Sequence, residues 1–173
     1  MSERRYPACT AVVSAYLAGD CESAIEIADR AVALNTNSYN AWLNRGFAYR
    51  AAGLLEEALQ SFERAVRISP ADPSLHMLFV GIAWASIELR RFDEAIVAGK
   101  KALRQNSSVA MAYRCLASAL AHLGRDADAR EAAARSLELD PAYTISASIA
   151  RGALSNANAK LMIEGLRKAG LPE

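Results

Sequence analysis

The sequence predicts an all-α protein of four consecutive helix–turn–helix repeats followed by a closing pair of helices. The first observation behind this prediction is a period. A short acidic stretch that ends in alanine recurs at intervals of 34, 37 and 34 residues. The second observation is that glycine or proline follows most of the apolar, helix-spaced segments, at Gly19, Gly53, Pro70, Gly124 and Pro141. A fixed spacing of this length indicates stacked two-helix units, none of which buries its apolar face alone.

The period sets the bounds of the repeats. We expect them at residues 5–38, 39–72, 76–109 and 110–143, with the closing helices at residues 144–173. Where the two helices of a repeat cross, a small residue is expected, because a larger side chain would push the backbones apart. The first helices of the last three repeats hold Gly46, Ala83 and Ala117 at these places.

The turn inside each repeat needs a residue with left-handed backbone angles, which glycine adopts without steric penalty. Three repeats have glycine there, and the third has Arg90 instead. Proline then ends the second helix, since it cannot continue the hydrogen-bond ladder. Three extra residues beside Pro70 and Pro73 predict a longer loop before the third repeat.

The closing segment departs from the repeat pattern. Residues 142–154 predict one more helix of the first type, and residues 159–169 predict a last amphipathic helix. We interpret the stretch from Gly165 to Gly170 as a stop signal at its end. This pair would cover the apolar face of the last repeat. No such cap precedes the first repeat, which suggests a self-associating N-terminal face or a piece of a longer chain.

The second repeat carries a family resemblance. Its Trp42, Gly46, Tyr49, Gly53, Ala58, Phe62, Ala65 and Pro70 stand at the offsets of the tetratricopeptide repeat, and the chain resembles that family over nearly its whole length. The resemblance implies a right-handed α–α superhelix, or solenoid, in which the first helices line a concave groove. It also implies a scaffold that binds other proteins and carries no catalytic activity.

Positions carried over from the family predict the residues of the groove. The expected peptide-binding residues are Val13, Tyr16, Leu43, Phe47, Arg50, Val80, Trp84, Ile87, Arg114 and His122. The predicted groove is apolar and aromatic at its centre, with Phe47 and Trp84 exposed, and so fits an amphipathic helix or an extended peptide. The alternative is that a missing N-terminal segment or a second subunit, as in a homodimer, buries these residues.

One well-known partner of the family is not expected. Family members that bind the C-terminal carboxylate of chaperones do so through a clamp of lysines, asparagines and an arginine. The corresponding positions here hold Cys9, Val13, Phe47 and Met77. The clamp is therefore absent from the sequence.

Other function classes find no support in the sequence. A net charge of +1 gives no argument for nucleic acid, and no apolar run reaches the roughly 18 residues of a membrane span. We find no catalytic motif, cofactor motif or metal-ligand spacing. Three cysteines without a CxxC pair, and no signal peptide, indicate a reducing, cytoplasmic protein.

Three stretches, residues 62–70, 137–141 and 164–173, carry a narrower resemblance. They are similar to the repeat region that follows an adenylate cyclase or a winged-helix domain in bacterial multidomain regulators. This resemblance implies, as the alternative function, a regulatory array whose catalytic or DNA-binding half lies elsewhere. The reading frame upstream of Met1 distinguishes the two functions.

Overall fold

The computed structural model describes residues 20–151, 154 and 159–173. The chain forms two compact units, residues 1–72 and 73–173. Helices and turns make up the described residues, and no strand occurs among them. The all-α class and the helix–turn–helix repeat predicted from the sequence are confirmed. The predicted groove residues Val13 and Tyr16 lie outside the described residues, as does the expected first helix of the first repeat.

Three helices are described in the first unit. They are α1 (Cys21–Leu34), α2 (Tyr39–Ala51) and α3 (Leu55–Ile68). Side chains fix two of their starts: Asp20 accepts a hydrogen bond from the backbone N–H of Ser23 at 3.0 Å, and Ser38 accepts one from Ala41 at 3.3 Å. Such caps satisfy N–H groups that have no partner within the helix.

The first unit packs through small residues. Ala24, Ala28 and Ala48 form a fully buried cluster between α1 and α2. Where α2 meets α3, Gly46 lies against the ring of Phe62, and a Cβ on Gly46 would stand 2.4 Å from Cε1 of that ring. The close approach that the sequence predicted at Gly46 is therefore present, and Phe62 fills the space.

Six helices are described in the second unit. They are α4 (Leu75–Glu88), α5 (Phe92–Gln105), α6 (Ala110–His122), α7 (Asp126–Leu139), α8 (Ile145–Ala150) and α9 (Lys160–Lys168). Helix α4 packs on α5, α5 on α6, and α6 on α7, which is the expected order of two repeats. One apolar core runs through the unit and includes residues from α4, α5, α6, α7 and α9.

The turns within the repeats share one geometry. Gly53, Gly124 and Arg90 all have left-handed backbone angles, with φ of 84°, 70° and 59°. In each turn the next residue donates its N–H to a carbonyl five positions back, as Arg91 does to Ser86 at 2.8 Å. This closure satisfies carbonyls that the helix end leaves unpaired. Arg90 therefore adopts, in the third repeat, the backbone conformation that glycine adopts in the other turns.

The first closing helix is shorter than the sequence predicted. Helix α8 spans only Ile145–Ala150, whereas we expected residues 142–154. The reason is its cap: Thr144 has extended backbone angles, and its hydroxyl accepts a hydrogen bond from the N–H of Ala147 at 3.0 Å. A residue in that conformation starts a helix and cannot lie within one.

Candidate functional site

Helix α9 is amphipathic, and its apolar side is buried. Met162 and Leu166 are fully buried, and Leu161 is 8% exposed. The same side packs on α6 and also reaches α4, the first helices of the fourth and third repeats. We call the surface of α4 and α6 that receives α9 the α4/α6 face. This face corresponds to the groove that the family resemblance implies for these two repeats.

Glu88, in the last turn of α4, receives the start of α9. Its carboxylate oxygens accept hydrogen bonds from the backbone N–H of Leu161 at 3.3 Å and of Met162 at 2.9 Å. A carboxylate at a helix start satisfies N–H groups that the helix leaves free, and its charge complements the helix dipole. The α4/α6 face thus carries a fixed acceptor for the first turn of a helix.

The closest approach between α9 and α6 lies at Gly165 and Ser118. A Cβ on Gly165 would stand 2.1 Å from Oγ and 2.7 Å from Cα of Ser118, so no side chain fits there. The buried hydroxyl of Ser118 donates toward the carbonyl oxygens of Leu161 and Met162, at 3.4 and 3.3 Å. We expected the stretch from Gly165 to Gly170 to mark the helix end, whereas Gly165 itself lies inside α9 and permits this contact.

His122 provides the second polar contact from α6. Its Nε2 lies 2.8 Å from the carbonyl oxygen of Leu161 and donates to it, since a carbonyl only accepts. The imidazole stacks on the ring of Phe92, with the ring centres 4.7 Å apart and the planes 9° from parallel. Phe92 thereby holds the ring in the orientation that the contact with Leu161 requires.

The end of the chain is also fixed to the unit. Gly170 has a φ of 84°, which ends α9, and Leu171 donates to the carbonyl of Leu166 at 3.1 Å. The carbonyl of Pro172 then accepts from the N–H of Ile145, the first residue of α8, at 2.9 Å. Gly170 is therefore the stop signal that the sequence predicted.

The outward side of α9 carries charges that pair with one another. Lys168 lies 2.8 Å from Glu164, and the hydrogen bond from Lys168 holds the pKa of Glu164 below its ordinary value. Arg167 binds Glu173 at 2.6 Å, which raises the pKa of Arg167 and lowers that of Glu173. All four side chains are about half exposed, so these pairs contribute little to stability.

The predicted groove residues of the second unit are therefore covered. Trp84 is 6% exposed and Val80 5%, and both belong to the same buried cluster as Met162 and Leu166, as does the fully buried Ile87. The expectation that Trp84 is exposed is wrong, because it lies in the buried core of the second unit, which also includes residues of α9.

Arg114 contacts residues that follow α7. The guanidinium is buried and binds the carboxylate of Asp140 at 2.5 Å. It also lies over the ring of Tyr143, with Cζ 3.5 Å from the ring centre. Arg114 thus ties the end of α7 and the residues after it to α6. The sequence placed it in the groove without indicating this structural role.

In the first unit, the predicted residues on α2 are partly accessible. Leu43 and Phe47 are half-buried, and Arg50 is 7% exposed. Phe47 packs edge-on against Phe62, with ring centres 5.1 Å apart and planes at 73°. Leu43 and Phe47 therefore leave apolar surface accessible, and the ring of Phe47 is held in place by Phe62.

The first unit also contains a cleft of about 500 Å³ between α1, α2 and α3. Arg45 crosses its base, binding Asp29 at 2.6 Å and donating to the hydroxyl of Ser61 at 2.6 Å. Tyr49 donates to the other oxygen of Asp29 at 2.8 Å. The pKa of Tyr49 is raised mainly by burial and, to a smaller extent, by this hydrogen bond. Both oxygens of Asp29 are thus engaged. No pattern in the sequence indicated this network, which joins three helices.

The described residues give no sign of a metal site or a membrane span. No group of three His, Cys, Asp or Glu side chains stands together in that part of the chain. None of its helices is long and apolar enough to cross a membrane. Cys115 is buried and Cys21 half-buried, both as free thiols.

Comparisons with known proteins agree with this architecture. A family model described as a tetratricopeptide repeat matches residues 9–73 and 80–144. No curated protein matches the chain. The narrower resemblance to cyclase and winged-helix regulators stays a prediction.

Three solved structures illustrate the similarity in fold. TTC0263 of Thermus thermophilus has a TM-score of 0.72 at 20% identity, over 94% of this chain and 88% of that one. YrrB, described as having an unusual peptide-binding site, has a TM-score of 0.61 at 22% identity, over 95% and 84%. The first such domain of Spaghetti (RPAP3), bound to an HSP90 peptide, has a TM-score of 0.57 at 22% identity, over 76% and 91%. At these identities the likeness concerns the fold alone.

Proposed function

Because the chain belongs to the tetratricopeptide repeat family, we propose that it is a non-catalytic protein-binding module whose first helices receive a helical or extended segment of a partner. Proteins of this family generally bind proteins or peptides. The finer proposal, that binding takes place on the first helices, rests on one observation. The α4/α6 face already holds a helix, α9, through side chains that contact its backbone.

The contacts on α9 explain why this observation carries the proposal. Glu88, Ser118 and His122 bind backbone N–H and carbonyl groups, which every helix presents. The contacts of Ser118 are buried and those of Glu88 and His122 are part-buried, and a buried group left without its hydrogen-bond partner costs about 1–3 kcal/mol. A surface with these properties recognises a helix with a small residue at the point of crossing.

The first unit supports the same mode of binding. Leu43 and Phe47 lie on α2, the first helix of the second repeat, and both keep part of their apolar surface accessible. Phe47 is fixed by its contact with Phe62, so little side-chain entropy is lost when a partner covers it. A peptide partner is also the class that the descriptions of two similar structures name.

Site-specific photocrosslinking in cells tests the proposal. Benzoylphenylalanine is placed at position 43 on α2 or 77 on α4, where the native residues are Leu43 and the 44%-exposed Met77. Matched controls carry it on second helices, at the exposed Glu63 of α3 and the 53%-exposed Val97 of α5. We expect a defined partner to crosslink from position 43 or 77 and not from the controls.

Two other outcomes would redirect the proposal. A partner that crosslinks only from positions 63 and 97 would place binding on the second helices and contradict the proposed face. Crosslinks only between copies of the chain would support the homodimer that the sequence left open. Positions 63, 77 and 97 are exposed and position 43 is half-buried, so far-ultraviolet circular dichroism checks that each variant keeps the helix content of the native chain.

A further inference from the structure

We propose that α9 is a built-in competitor for the α4/α6 face, and that the external partner of this face is an amphipathic helix with the pattern of α9. The inference rests on the proposed function and adds to it the kind of helix recognised and the event that must precede binding. The partner helix takes the place of α9, so its binding is coupled to release of the chain's own C-terminal helix.

The buried positions of α9 define the pattern. Leu161, Met162 and Leu166 are the large side chains that the face receives, and Gly165 stands at the crossing. Because a Cβ at this place would meet the backbone of Ser118 and not only its flexible hydroxyl, a matching partner needs glycine four positions after the first apolar residue. This requirement separates a matching helix from most amphipathic helices, in which glycine is disfavoured.

Glu88 adds a direction to the pattern. It accepts from N–H groups of the first turn, which are free only at the start of a helix. A helix that passed Glu88 in the middle, or that ran the other way, would present occupied N–H groups or carbonyl oxygens to a carboxylate. The partner helix therefore begins at Glu88 and runs in the same sense as α9.

The outward side of α9 leaves the remaining positions open. Glu164, Arg167 and Lys168 are exposed and pair with charges of the same terminal segment. The pKa of Glu164 is lowered first by the hydrogen bond from Lys168 and, by smaller amounts, by the charges of His122 in α6 and Arg90 just after α4. Specificity thus lies in the buried positions and in the helix start, and the partner's outward side is free to differ.

Competition follows because α9 and the α4/α6 face belong to the same chain. A helix attached to its own binding site acts as an intramolecular ligand, and an external helix must compete with its effective concentration. Suppose that the face is vacant in about 1% of molecules. A free helix with the same contacts then binds about 100-fold more weakly than it would bind a face that is always vacant. Native α9 therefore lowers the apparent affinity for every external helix of its own pattern.

A substitution at the crossing tests the inference. The probe is a fluorescein-labelled synthetic peptide with the sequence of residues 159–173, and its binding to the full chain is followed by fluorescence anisotropy. In the chain, Gly165→Ala places a methyl group against Ser118 while improving helix propensity, so any loss of docking comes from the contact. The matched control is Glu164→Ala, which also introduces alanine, but on the outward side of α9.

Release of α9 is monitored in the same molecules. The chain has two tryptophans, so Trp42→Phe leaves Trp84 as the sole reporter. Trp84 is buried in the cluster that includes Leu161 and Met162, and its emission is expected to shift to longer wavelength when α9 leaves. We expect the peptide to bind the Gly165→Ala chain at least about tenfold more tightly than the native or Glu164→Ala chain. The peptide that itself carries G165A is expected to bind none of them.

Equal binding to all chains, or no binding to a chain whose Trp84 reports release, would overturn the inference. If Gly165→Ala unfolds the second unit, native-state hydrogen exchange of the unmodified chain decides. Amides of α9 that exchange while α4 and α6 stay protected support a releasable helix. Amides of α9 that exchange only together with α6 would contradict it. The crosslinking experiment tests the proposed function separately. A partner that crosslinks from position 43 would support that function even if the peptide does not bind.

Discussion

The carboxylate of Glu88 caps a helix far along the chain, with Oε1 2.9 Å from the backbone nitrogen of Met162, which lies 74 positions later. Most helix starts are capped by a residue just before them. Residue 159, the one that precedes α9, is alanine and makes no side-chain cap. Glu88 therefore supplies from α4 what the local sequence of α9 lacks, and links the stability of α9 to its docking.

Removal of this cap is expected to destabilise the second unit. Glu88→Ala leaves two part-buried N–H groups of α9 without their acceptor, so the free energy of unfolding should fall by about 1–3 kcal/mol. Urea denaturation followed by circular dichroism measures it. Glu131→Ala, at an exposed position of α7, should change the value by less than about 0.5 kcal/mol. Equal effects of the two substitutions would show that the cap contributes nothing.

Arg90→Gly is expected to stabilise the chain. Arg90 holds a φ of 59°, which costs a residue with a Cβ about 1 kcal/mol and glycine very little. The denaturation midpoint should therefore rise. The control is Arg104→Gly, the same change at an exposed position in the last turn of α5, which should destabilise by up to about 1 kcal/mol. A loss of stability in both variants would contradict the strain assigned to Arg90.

The contact between Gly46 and Phe62 is expected to show coupling. Gly46→Ala forces a methyl group into the ring of Phe62 and should destabilise the first unit by about 1–3 kcal/mol. Phe62→Leu removes the ring atoms that the methyl group meets. In a double-mutant cycle, the pair should lose less than the sum of the single changes, by about 0.5–3 kcal/mol. Additive losses would mean that the backbone, and not the ring, resists the methyl group.

The start of α1 is expected to depend on pH. Hydrogen bonds from Ser23, first from its hydroxyl and then from its backbone N–H, hold the pKa of Asp20 below its ordinary value of 3.8. A lowered pKa means that the cap stabilises fully above 3.8 and is lost as pH falls through the folded value. The protection factors of amides in the first turn of α1, which compare observed exchange rates with intrinsic rates at the same pH, should therefore fall in acid. Asp20→Asn keeps an acceptor without the titration, so a parallel fall in that variant would refute the assignment.

Local chemistry made much of the fold predictable. The turn residues Gly53, Gly124 and Arg90 were placed from their spacing alone, and all three have the left-handed angles that the turn requires. Acidic residues lie in the first turns of α3 and α5, where their charge complements the helix dipole. These features depend on neighbours in sequence, which a period of repeats reveals.

The candidate site was predictable only in part. The family pattern placed Val80, Trp84 and Ile87 on one side of α4, and they do share one cluster. The burial of these residues was not predicted. The docking of α9 depends on the fit between Gly165 and Ser118, two residues that lie in different helices. A buried-side glycine inside a nine-residue helix was the available signal. The stretch of residues 165–170 was instead interpreted as a helix end, since glycine often marks one.

The fit between Gly165 and Ser118 also constrains how such a chain can evolve. Each position is closed to larger residues for as long as the other faces it, so neither can drift alone. Among descendants of this sequence, a bulkier residue at 118 is expected only where the last helix has been lost or has moved elsewhere. Paired substitution at the two positions would thus serve as a record, in sequence, of which chains still keep their groove closed.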